Sequence, residues 1–599
     1  MAEPSRQEPG TREACRAAPR EARADWLSLL PIGPGARALD LGSEGGGLTL
    51  GLAGFCEQVI AVEPDPLLAR ATGERAARAG AANVQVVCGG IEQLPPRAGA
   101  FDVVLCRRPE RLFAAHGPPG AARVLWGLVS PQGCVALAVG AAGLTARRGR
   151  FRLAAVAHAL QDAGFREVVV LAALPNPLAP ACVFPLGEPL PARAALRHLR
   201  PGGAGGRGTL RAAALRVVAA VAGPLPRALL PGFWVVARAP ANFRCAVVEE
   251  LTRCIAVQPL PPEPERTGRT DRVRSALRNR PLAFSLLAGT PEQGARVTYF
   301  AFPQGWCEPA CVLHLGRQEG EAARAAEALR RLRNRVGPEL RVALPLPLGT
   351  ASARGQEALA EGYLEGTTLR QRVLLARRAH LPALAETALF PAAAWLADLN
   401  RQTAPRLLLR GTECQRTLRQ RLRETAAAGT VLPAPFSAVL QQIAAAGTRL
   451  GATHNRLSPR NLLLRPTGIA LCDWSDLAFE DLPLVDLFDL ITSLGELILQ
   501  RQGGRAWGLT VNTADPDAAR RLAAFRFAFT EESWYARLAA TAVRRYCERA
   551  ALPLESARHY LPLAYLRRAW RAGREDPEGE PAAASFRLAA LALEWEPDW

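Results

Sequence analysis

The sequence predicts an α/β protein with more than one domain, from two patterns and from the length of the chain. Between residues 37 and about 186, short apolar runs alternate with longer helix-forming stretches, which is typical of a doubly wound parallel sheet. From about residue 280, strand-like runs come first and an almost wholly helical stretch follows, which favours an α+β arrangement. The chain has 599 residues, so it is long enough for several such domains.

The composition is that of a folded protein from a reducing compartment. Apolar residues make up 49% of the chain and charged residues 22%, which excludes wholesale disorder. The 13 cysteines lie in apolar runs and form no Cys-x-x-Cys pair, so they predict small buried side chains. Cys307 and Cys311 lack a second pair of ligands and predict no zinc site. We therefore expect a cytoplasmic protein.

The net charge of +19 comes from arginine alone, because the sequence contains no lysine. These arginines are scattered along the chain, whereas nucleic-acid binding needs charge concentrated on one face. We expect no clear nucleic-acid partner. Prolines interrupt the most apolar stretch, residues 217–236, so we also expect no transmembrane segment.

Five apolar runs predict the strands of the first region, at residues 38–41, 59–62, 84–87, 101–105 and 134–139. Asp102 is expected at the carboxyl end of its strand. There, a part in catalysis and a part in strand-end hydrogen bonding both remain open.

A glycine-rich loop follows the first predicted strand, in residues 40–48, which read DLGSEGGGL. Glycines at a strand-to-helix turn let a ligand approach the backbone, and the amides that start the helix can bind its negative groups. Glu63 ends the next predicted strand, about 20 residues further on, where a carboxylate can accept both hydroxyls of a ribose. The two features together predict a nucleoside ligand.

Over residues 25–186, this loop, the run VEPD at 62–65, FDVV at 101–104 and LVSPQG at 128–133 resemble the class I S-adenosylmethionine-dependent methyltransferases. The resemblance implies S-adenosylmethionine as cofactor. It also implies that Asp40, Gly42 and Gly46 surround its methionine part, and that Glu63 binds its ribose.

The chain departs from this family at two positions. Glu44 stands where the family usually has its middle glycine, and Gly90 stands where an acidic residue often contacts the adenine amino group. A Glu44 side chain that points into the cofactor cavity would obstruct it, whereas one that turns to solvent would be harmless.

A second motif lies in residues 453–464, THNRLSPRNLLL, followed by IALCDW at 469–474. With runs at 361–369, 395–399 and 483–487, it resembles the aminoglycoside phosphotransferases and related kinase-like enzymes over residues 280–599. The resemblance implies a two-lobed kinase-like domain. It also implies that Asn461 and Asp473 hold Mg²⁺ on the phosphates of ATP, and that His454 fixes the loop.

Three groups needed for phosphoryl transfer are replaced in this motif. Arg456 stands at the place of the catalytic aspartate, His314 at that of the strand lysine, and Ala325 at that of the helix glutamate which pairs with the lysine. A permanent cation at position 456 cannot take the proton of an attacking hydroxyl. We therefore expect a pseudokinase in which Arg456 lies against Asp473, in the metal's electrostatic place.

The sequence thus divides into an N-terminal tail at 1–24, a methyltransferase-like domain at 25–189, an Arg/Gly/Pro-rich connector with apolar helices at 190–279 and a kinase-like domain at 280–599. This pairing is similar to bacterial enzymes that modify surface polysaccharides. It suggests a methyltransferase for a small-molecule or glycan substrate, with envelope-assembly proteins as partners. A non-catalytic scaffold made of two degenerate folds and an active small-molecule phosphotransferase remain alternatives, and RNA methylation ranks last.

Overall fold

The computed structural model divides the chain into two compact units. The first comprises Met1–Ala322 with Leu348–Gly362, and the second comprises Ala323–Pro347 with Tyr363–Trp599. The structure describes residues 24–33, 35–94, 100–140, 153–198, 230–239, 246–258, 268–288, 297–316, 319–405, 408–426, 430–502, 516–530, 532–575 and 580–594. The predicted tail therefore lies outside the described residues, apart from residue 24, and so do the stretches 199–229, 240–245 and 259–267 of the predicted connector.

The front of the first unit is a parallel sheet, as the alternating pattern predicts. Its strands are β1 (Arg37–Leu41), β2 (Gln58–Glu63), β3 (Val84–Cys88), β4 (Phe101–Cys106) and β5 (Val129–Gly140), in the spatial order β3-β2-β1-β4-β5. The connecting helices are α1 (Gly47–Ala53), α2 (Pro66–Arg78) and α3 (Pro109–Leu128). Because all five strands are parallel, the carboxyl ends of β1, β2 and β4 meet at one edge.

Antiparallel strands continue this sheet beyond β5. The elements are α4 (Leu153–Asp162), β6 (Glu167–Leu174), β7 (Cys182–Pro185), α5 (Pro189–His198) and β8 (Gly232–Arg238). Strand β8 lies between β5 and β6 and is antiparallel to both. The structure thus differs from the prediction that residues 190–279 form a connector, because β8 completes the sheet of the first domain. Its core residues Phe233–Val236 are at most 3% exposed.

Among the described residues, five further strands extend the same sheet to thirteen. After α6 (Val247–Val257) and α7 (Gly268–Asn279) come β9 (Leu282–Ala288), β10 (Val297–Pro303), β11 (Cys311–Leu315), β12 (Pro347–Ala353) and β13 (Gln356–Gly362). Strands β10 and β11 form an antiparallel pair. Strand β9 joins the two halves, because it pairs with β7 through Cys182 opposite Leu287 and Val183 opposite Leu286.

A short 3₁₀ turn, Asp25–Leu29, packs on the sheet where its two halves join. Trp26 stacks on Trp234 of β8, with 4.1 Å between the ring centroids. The Tyr299 hydroxyl, on β10, donates a hydrogen bond of 2.6 Å to the Asp25 carbonyl. This turn therefore contacts strands from both halves.

The second unit is mainly helical, in agreement with the helical stretch predicted after the strand-like runs. Its helices are α8 (Glu321–Arg335), α9 (Pro338–Arg341), α10 (Leu369–Leu375), α11 (Leu381–Thr403), α12 (Gly411–Thr425), α13 (Ala434–Ala446), α14 (Val485–Gln502), α15 (Pro516–Phe525), α16 (Trp534–Ala550), α17 (Ala557–Glu575) and α18 (Glu580–Leu593). Two small sheets, β14 (Thr367–Thr368) with β16 (Leu462–Arg465) and β17 (Gly468–Leu471), and β15 (Gly451–Thr453) with β18 (Ala478–Asp481), frame the loop that follows β15. In the part of the chain that the structure describes, no helix has both the length and the apolar character to cross a bilayer.

Candidate functional site

The glycine loop lies at the carboxyl edge of the parallel sheet, between β1 and α1. Gly42, Gly45 and Gly46 have φ values of 79°, 84° and 86°, which a residue with a side chain adopts only under strain. A Cβ at Gly42 or Gly45 would meet no atom within 4 Å, whereas one at Gly46 would lie 3.1 Å from Cγ2 of Thr72. The Gly42 amide donates to the Val62 carbonyl at 2.8 Å, which brings the loop beside the end of β2. The loop is thus open on one side and packed against α2 on the other.

Glu63, the last residue of β2, points its carboxylate at this loop. Oε2 accepts the Glu44 amide at 2.9 Å, and Oε1 accepts the Asp65 amide at 3.2 Å. A carboxylate has about four acceptor positions, so each oxygen keeps the capacity for one more hydrogen bond. The two remaining positions match the two hydroxyls of a ribose. Glu63 is only 2% exposed, so a ligand reaches it only after neighbouring atoms move.

Asp40, on β1, is fully buried and is held by two groups on the same oxygen. Its Oδ2 accepts from Thr49 Oγ1 at 2.6 Å and from Arg107 Nη2 at 2.7 Å. Oδ1 has no hydrogen-bond partner among the described residues. Arg107 directly follows β4. No local pattern indicates it, because Asp40 and Arg107 are 67 positions apart and meet only through the pairing of β1 with β4.

The Glu44 side chain is directed toward an arginine, Arg108. Glu44 has a φ of 45° and forms an ion pair with Arg108, in which the Glu44 side chain is 9% exposed and the Arg108 side chain is 46% exposed. The hydrogen bond from Arg108 to Glu44 raises the pKa of the guanidinium above its ordinary value. The charge of Glu44 is therefore compensated locally, and the departure from the family pattern is accompanied by its own counter-charge.

Gly90, the second departure, has a carboxylate beside it from elsewhere in the loop. A Cβ at position 90 would fall on the Glu92 carboxylate, which occupies the space that a side chain there would fill. Glu92 lies in the 3₁₀ turn Ile91–Gln93 and is exposed. An acidic group is therefore present beside position 90, but it comes from a residue two positions further along the chain.

Strand β4 carries two further polar residues, Asp102 and Cys106. Asp102 is the second residue of β4, so it lies at the amino end of the strand, and the prediction that it sits at the carboxyl end is wrong. It accepts hydrogen bonds from the Arg37 amide at 3.1 Å and from Ser130 Oγ at 3.0 Å, which are strand-end contacts. Burial raises the pKa of Cys106 to about 12, so its thiol stays neutral.

In the second unit, the loop after β15 is anchored by a buried aspartate. Asp486 Oδ2 accepts the His454 amide at 2.6 Å, and Oδ1 accepts the Asn455 amide at 2.8 Å. His454 is itself fully buried, with Nε2 located 2.9 Å from the Cys472 carbonyl. These contacts hold the shape of the loop.

Arg456 and Asn461 both contact groups within this region. Arg456 forms an ion pair with Asp476, and Asn461 Nδ2 donates to the Arg456 carbonyl at 3.0 Å. Asp473 has a φ of 64° and accepts from Ser475 Oγ at 2.9 Å. The expected approach of Arg456 to Asp473 stays a prediction. Within the described part of the chain, no group of three or more His, Cys, Asp or Glu residues could hold a metal ion.

Two arginines of α17 also contact this loop, and no local sequence pattern indicates them. Arg567 makes a two-pronged ion pair with Asp481, at 2.8 and 2.9 Å, and donates to Asn455 Oδ1 at 2.6 Å. Arg571 donates to the Asn455 carbonyl. Burial is the largest single influence on the pKa of Asp481 and would raise it, but the Arg567 charge and the hydrogen bonds from Arg567, the Leu482 amide and Thr453 together outweigh burial and hold that pKa below its usual value.

His314 lies in the first unit, on β11. Its Nε2 is 3.4 Å from Glu361 Oε2, and its Nδ1 is 3.3 Å from Thr298 Oγ1. The structure therefore brings Asp40, Gly42, Gly46 and Glu63 together at one sheet edge. It places His454, Arg456, Asn461 and Asp473 in one region of the second unit, and it puts His314 in a sheet of the first unit.

Comparisons with known proteins find similarity to one family model and to several solved structures. Residues 38–133 match the family described as Methyltransferase domain. A SAM-dependent methyltransferase from Aquifex aeolicus is 17% identical with a TM-score of 0.20, over 26% of this chain and 91% of that one. The precorrin-6y C5,15-methyltransferase from Geobacter metallireducens is 17% identical with a TM-score of 0.20, over 25% and 73%. Geranyl diphosphate methyltransferase in complex with SAM is 14% identical with a TM-score of 0.25, over 36% and 84%.

No curated protein sequence matches the chain. The family match runs from β1 into β5 and includes the glycine loop, Glu63 and Arg107. The N-terminal region is thus similar to a methyltransferase domain over residues 38–133, and these residues lie on a Rossmann-like parallel sheet.

Proposed function

We propose that the N-terminal domain binds S-adenosylmethionine and transfers its methyl group to a small molecule. The observation that supports this most directly is the meeting of the glycine loop with Glu63, through the bond between the Glu44 amide and the Glu63 carboxylate. It sets a ribose-binding acid beside a backbone that a ligand can approach closely.

The residues of this edge fit the cofactor in three respects. Gly42 and Gly45 leave open space where side chains would stand. Glu63 keeps two acceptor positions, and Asp40 keeps one buried oxygen without a partner among the described residues. When bound, S-adenosylmethionine supplies a methyl group on a positively charged sulfur, which needs mainly an acceptor held in line with it. The protein's contribution is therefore to bind and orient, and Glu63, Gly42, Gly46 and Asp40 are the residues we assign to that task.

For the second unit, we propose a kinase-like fold that has lost phosphoryl transfer. The support is local: the loop containing His454 is tethered by Asp486, and the residue two positions after His454 is an arginine engaged with Asp476. No carboxylate stands at position 456 to take a proton from a hydroxyl. On this proposal, Asn461 and Asp473 are remnants of a Mg²⁺ and ATP site, and His314 is a remnant of the lysine position.

The substrate proposal extends the family analogy. A methyltransferase coupled to a phosphotransferase-like unit suits a sugar or surface-polysaccharide intermediate in the cytoplasm, with envelope-assembly proteins as partners. A scaffold without catalysis is the second candidate, and one observation favours it. Asp40 is 0% and Glu63 is 2% exposed, so the protein's own atoms cover both acids.

Binding of S-adenosylhomocysteine, measured by isothermal titration, separates these two functions. We expect the wild-type chain to bind, and Glu63→Ala to lose about tenfold or more in affinity, because two ribose hydroxyls lose a charged acceptor. Glu57→Ala removes an exposed carboxylate just before the same strand and serves as the matched control. Undetectable binding by the wild-type chain supports the scaffold.

Addition of ATP and Mg²⁺ tests the second unit. A pseudokinase of the kind proposed shows no ATP-dependent phosphate transfer to aminoglycosides or to itself, and no rise in melting temperature that depends on Mg²⁺. Transfer in this assay would establish the alternative of an active small-molecule phosphotransferase.

A further inference from the structure

Helix α12 carries a row of arginines on its solvent face. Its other face packs into the core of the second unit through three buried residues, Cys414, Leu418 and Leu422. On the solvent face, Arg416 and Arg423 are exposed and Arg419 is partly buried. Because these arginines are three and four residues apart, their side chains form one row, with steps of roughly 4.5 Å and 6 Å along the helix axis.

The three guanidinium groups have no anionic partner within the part of the chain that the structure describes. None of them forms an ion pair or a hydrogen bond there, and the Nε of Arg419 is buried without a partner. Arg421 on the same helix differs, because it pairs with Glu424 at 3.0 Å and with Glu480 at 3.2 Å. Like charges three and four residues apart destabilise a helix. An anion bound across the row would remove this repulsion.

The arginine row lines a surface groove of about 700 Å³. The other lining residues supply a hydroxyl, two amides and a carboxylate, from Thr412, Gln415, Gln420 and Glu424. Gln420 Nε2 donates to Glu424 Oε1 at 3.3 Å, whereas the Gln415 amide forms no hydrogen bond with a described residue. Among the described residues that line the groove, none has an apolar or aromatic side chain. The groove therefore combines cations with neutral hydrogen-bonding groups.

This combination distinguishes between the kinds of polyanion that could bind. Single-stranded nucleic acids stack their bases on aromatic side chains, and a helix that lies on a bilayer inserts apolar side chains into it. The core of a protein interface is likewise enriched in aromatic residues. A chain of sugar acids needs neither kind of side chain, because its carboxylates pair with guanidinium groups and its hydroxyls bond to amides. Its charges also recur from ring to ring, as the cations recur along the helix.

We propose that the groove on α12 binds an acidic glycan, with Arg416, Arg419 and Arg423 on its carboxylates and Gln415 on its hydroxyls. Such a site lies in the second unit and requires no bound S-adenosylmethionine, so it goes beyond the function proposed above. No motif of the sequence indicates it, because the row appears only when the buried face of α12 is known.

The test compares three ligands that each carry six anionic groups. Isothermal titration of the full chain at low salt measures hexagalacturonate, hexaglutamate with blocked termini, and a deoxythymidylate heptamer. We expect hexagalacturonate to bind about tenfold or more tightly than either of the others, because it alone adds sugar hydroxyls for the amides, and its affinity should fall as salt rises. This comparison needs no variant and so cannot fail through misfolding.

A triple variant then assigns the binding to the arginine row. Arg416→Gln, Arg419→Gln and Arg423→Gln in one chain should lower the affinity for hexagalacturonate about tenfold or more, because three ion pairs are lost together. The matched control makes the same change in net charge at three exposed positions elsewhere in the unit, Arg537→Gln, Arg544→Gln and Arg558→Gln. The control should stay within about twofold of wild type.

Gln415→Ala tests the recognition of hydroxyls, and it should weaken the binding of hexagalacturonate several-fold while hexaglutamate stays within about twofold of wild type. Equal affinity of the wild-type chain for the three ligands, or tighter binding of the peptide or the oligonucleotide, overturns the inference. So does undetectable binding of hexagalacturonate, or a loss in the control as large as in the triple variant. Each of these outcomes leaves the binding of S-adenosylhomocysteine by the first unit unaffected, so a failure here is distinguishable from a failure of the proposed function.

Discussion

Replacement of Glu44 by glycine is expected to tighten cofactor binding without loss of stability. Glu44 has a left-handed φ of 45°, so glycine relieves roughly 1 kcal/mol of backbone strain. The substitution also removes the ion pair with Arg108, whose side chain is 46% exposed, and such a pair contributes about 0–1 kcal/mol. The two effects on the free energy of unfolding therefore nearly cancel.

The effect on binding comes from charge. A carboxylate on the loop repels the carboxylate of the ligand, by about 1–3 kcal/mol for a separation of roughly 5 Å and an effective dielectric constant between 80 and 20. Loss of Glu44 removes this repulsion and releases Arg108 to attract the ligand. We expect Glu44→Gly to bind S-adenosylhomocysteine roughly 5- to 150-fold more tightly in isothermal titration. The gain should shrink in high salt, because salt screens both effects.

Two variants separate charge from backbone strain. Glu44→Gln keeps the strained conformation and loses the charge, so it should bind nearly as tightly as Glu44→Gly. Arg108→Gln leaves Glu44 without its counter-charge and should bind more weakly than wild type. The reasoning is refuted if Glu44→Gly and Glu44→Gln bind no more tightly than the wild-type chain at low salt.

Three further predictions concern the loop and the second unit. Gly46→Ala should lower the free energy of unfolding by more than Gly45→Ala, because both residues have a φ above 80° but only a Cβ at position 46 would crowd Thr72. Urea unfolding followed by tryptophan fluorescence measures both losses, and equal losses would show that the contact with Thr72 is immaterial. Arg567→Met should lower the free energy of unfolding of the second unit by about 3–5 kcal/mol, because it leaves buried Asp481 without its charge partner. The control Arg401→Met removes an ion pair whose arginine is 55% exposed and should cost about 0–1 kcal/mol, so comparable losses in guanidinium unfolding would contradict the assignment. Because the pKa of Asp481 is held below its usual value, its contribution to the free energy of unfolding is present at neutral pH and is lost as the pH falls below about 4. The difference in that free energy between wild type and Arg567→Met should therefore shrink between pH 7 and pH 3, and a constant difference would argue against this linkage.

The features that could be predicted from the sequence are those set by local pattern. The alternation of apolar runs located β1 to β5, and the glycines after β1 located the loop beside Glu63. Asp102 shows the limit of this reasoning, since its strand was identified but the end of the strand on which it lies was misjudged.

The features that could not be predicted depend on residues far apart in the chain. Strand β8 overlaps the apolar, proline-interrupted stretch 217–236, where no local pattern marks a strand, although β8 completes the sheet between β5 and β6. Arg567 reaches Asn455 across 112 positions, and no local pattern marks either residue as a partner of the other. The partners of Asp40 and Glu44 follow β4 for the same reason, because only the sheet order brings β4 beside β1.

The most direct measurement is a crystal structure of the chain grown with S-adenosylhomocysteine. Our account predicts the ligand at the carboxyl edge of β1 and β2, with both ribose hydroxyls within hydrogen-bond distance of Glu63 and the glycine loop against the methionine part. The account would be contradicted if, in crystals grown at a saturating ligand concentration, Glu63 keeps only its two backbone partners and the ligand is bound elsewhere or not at all.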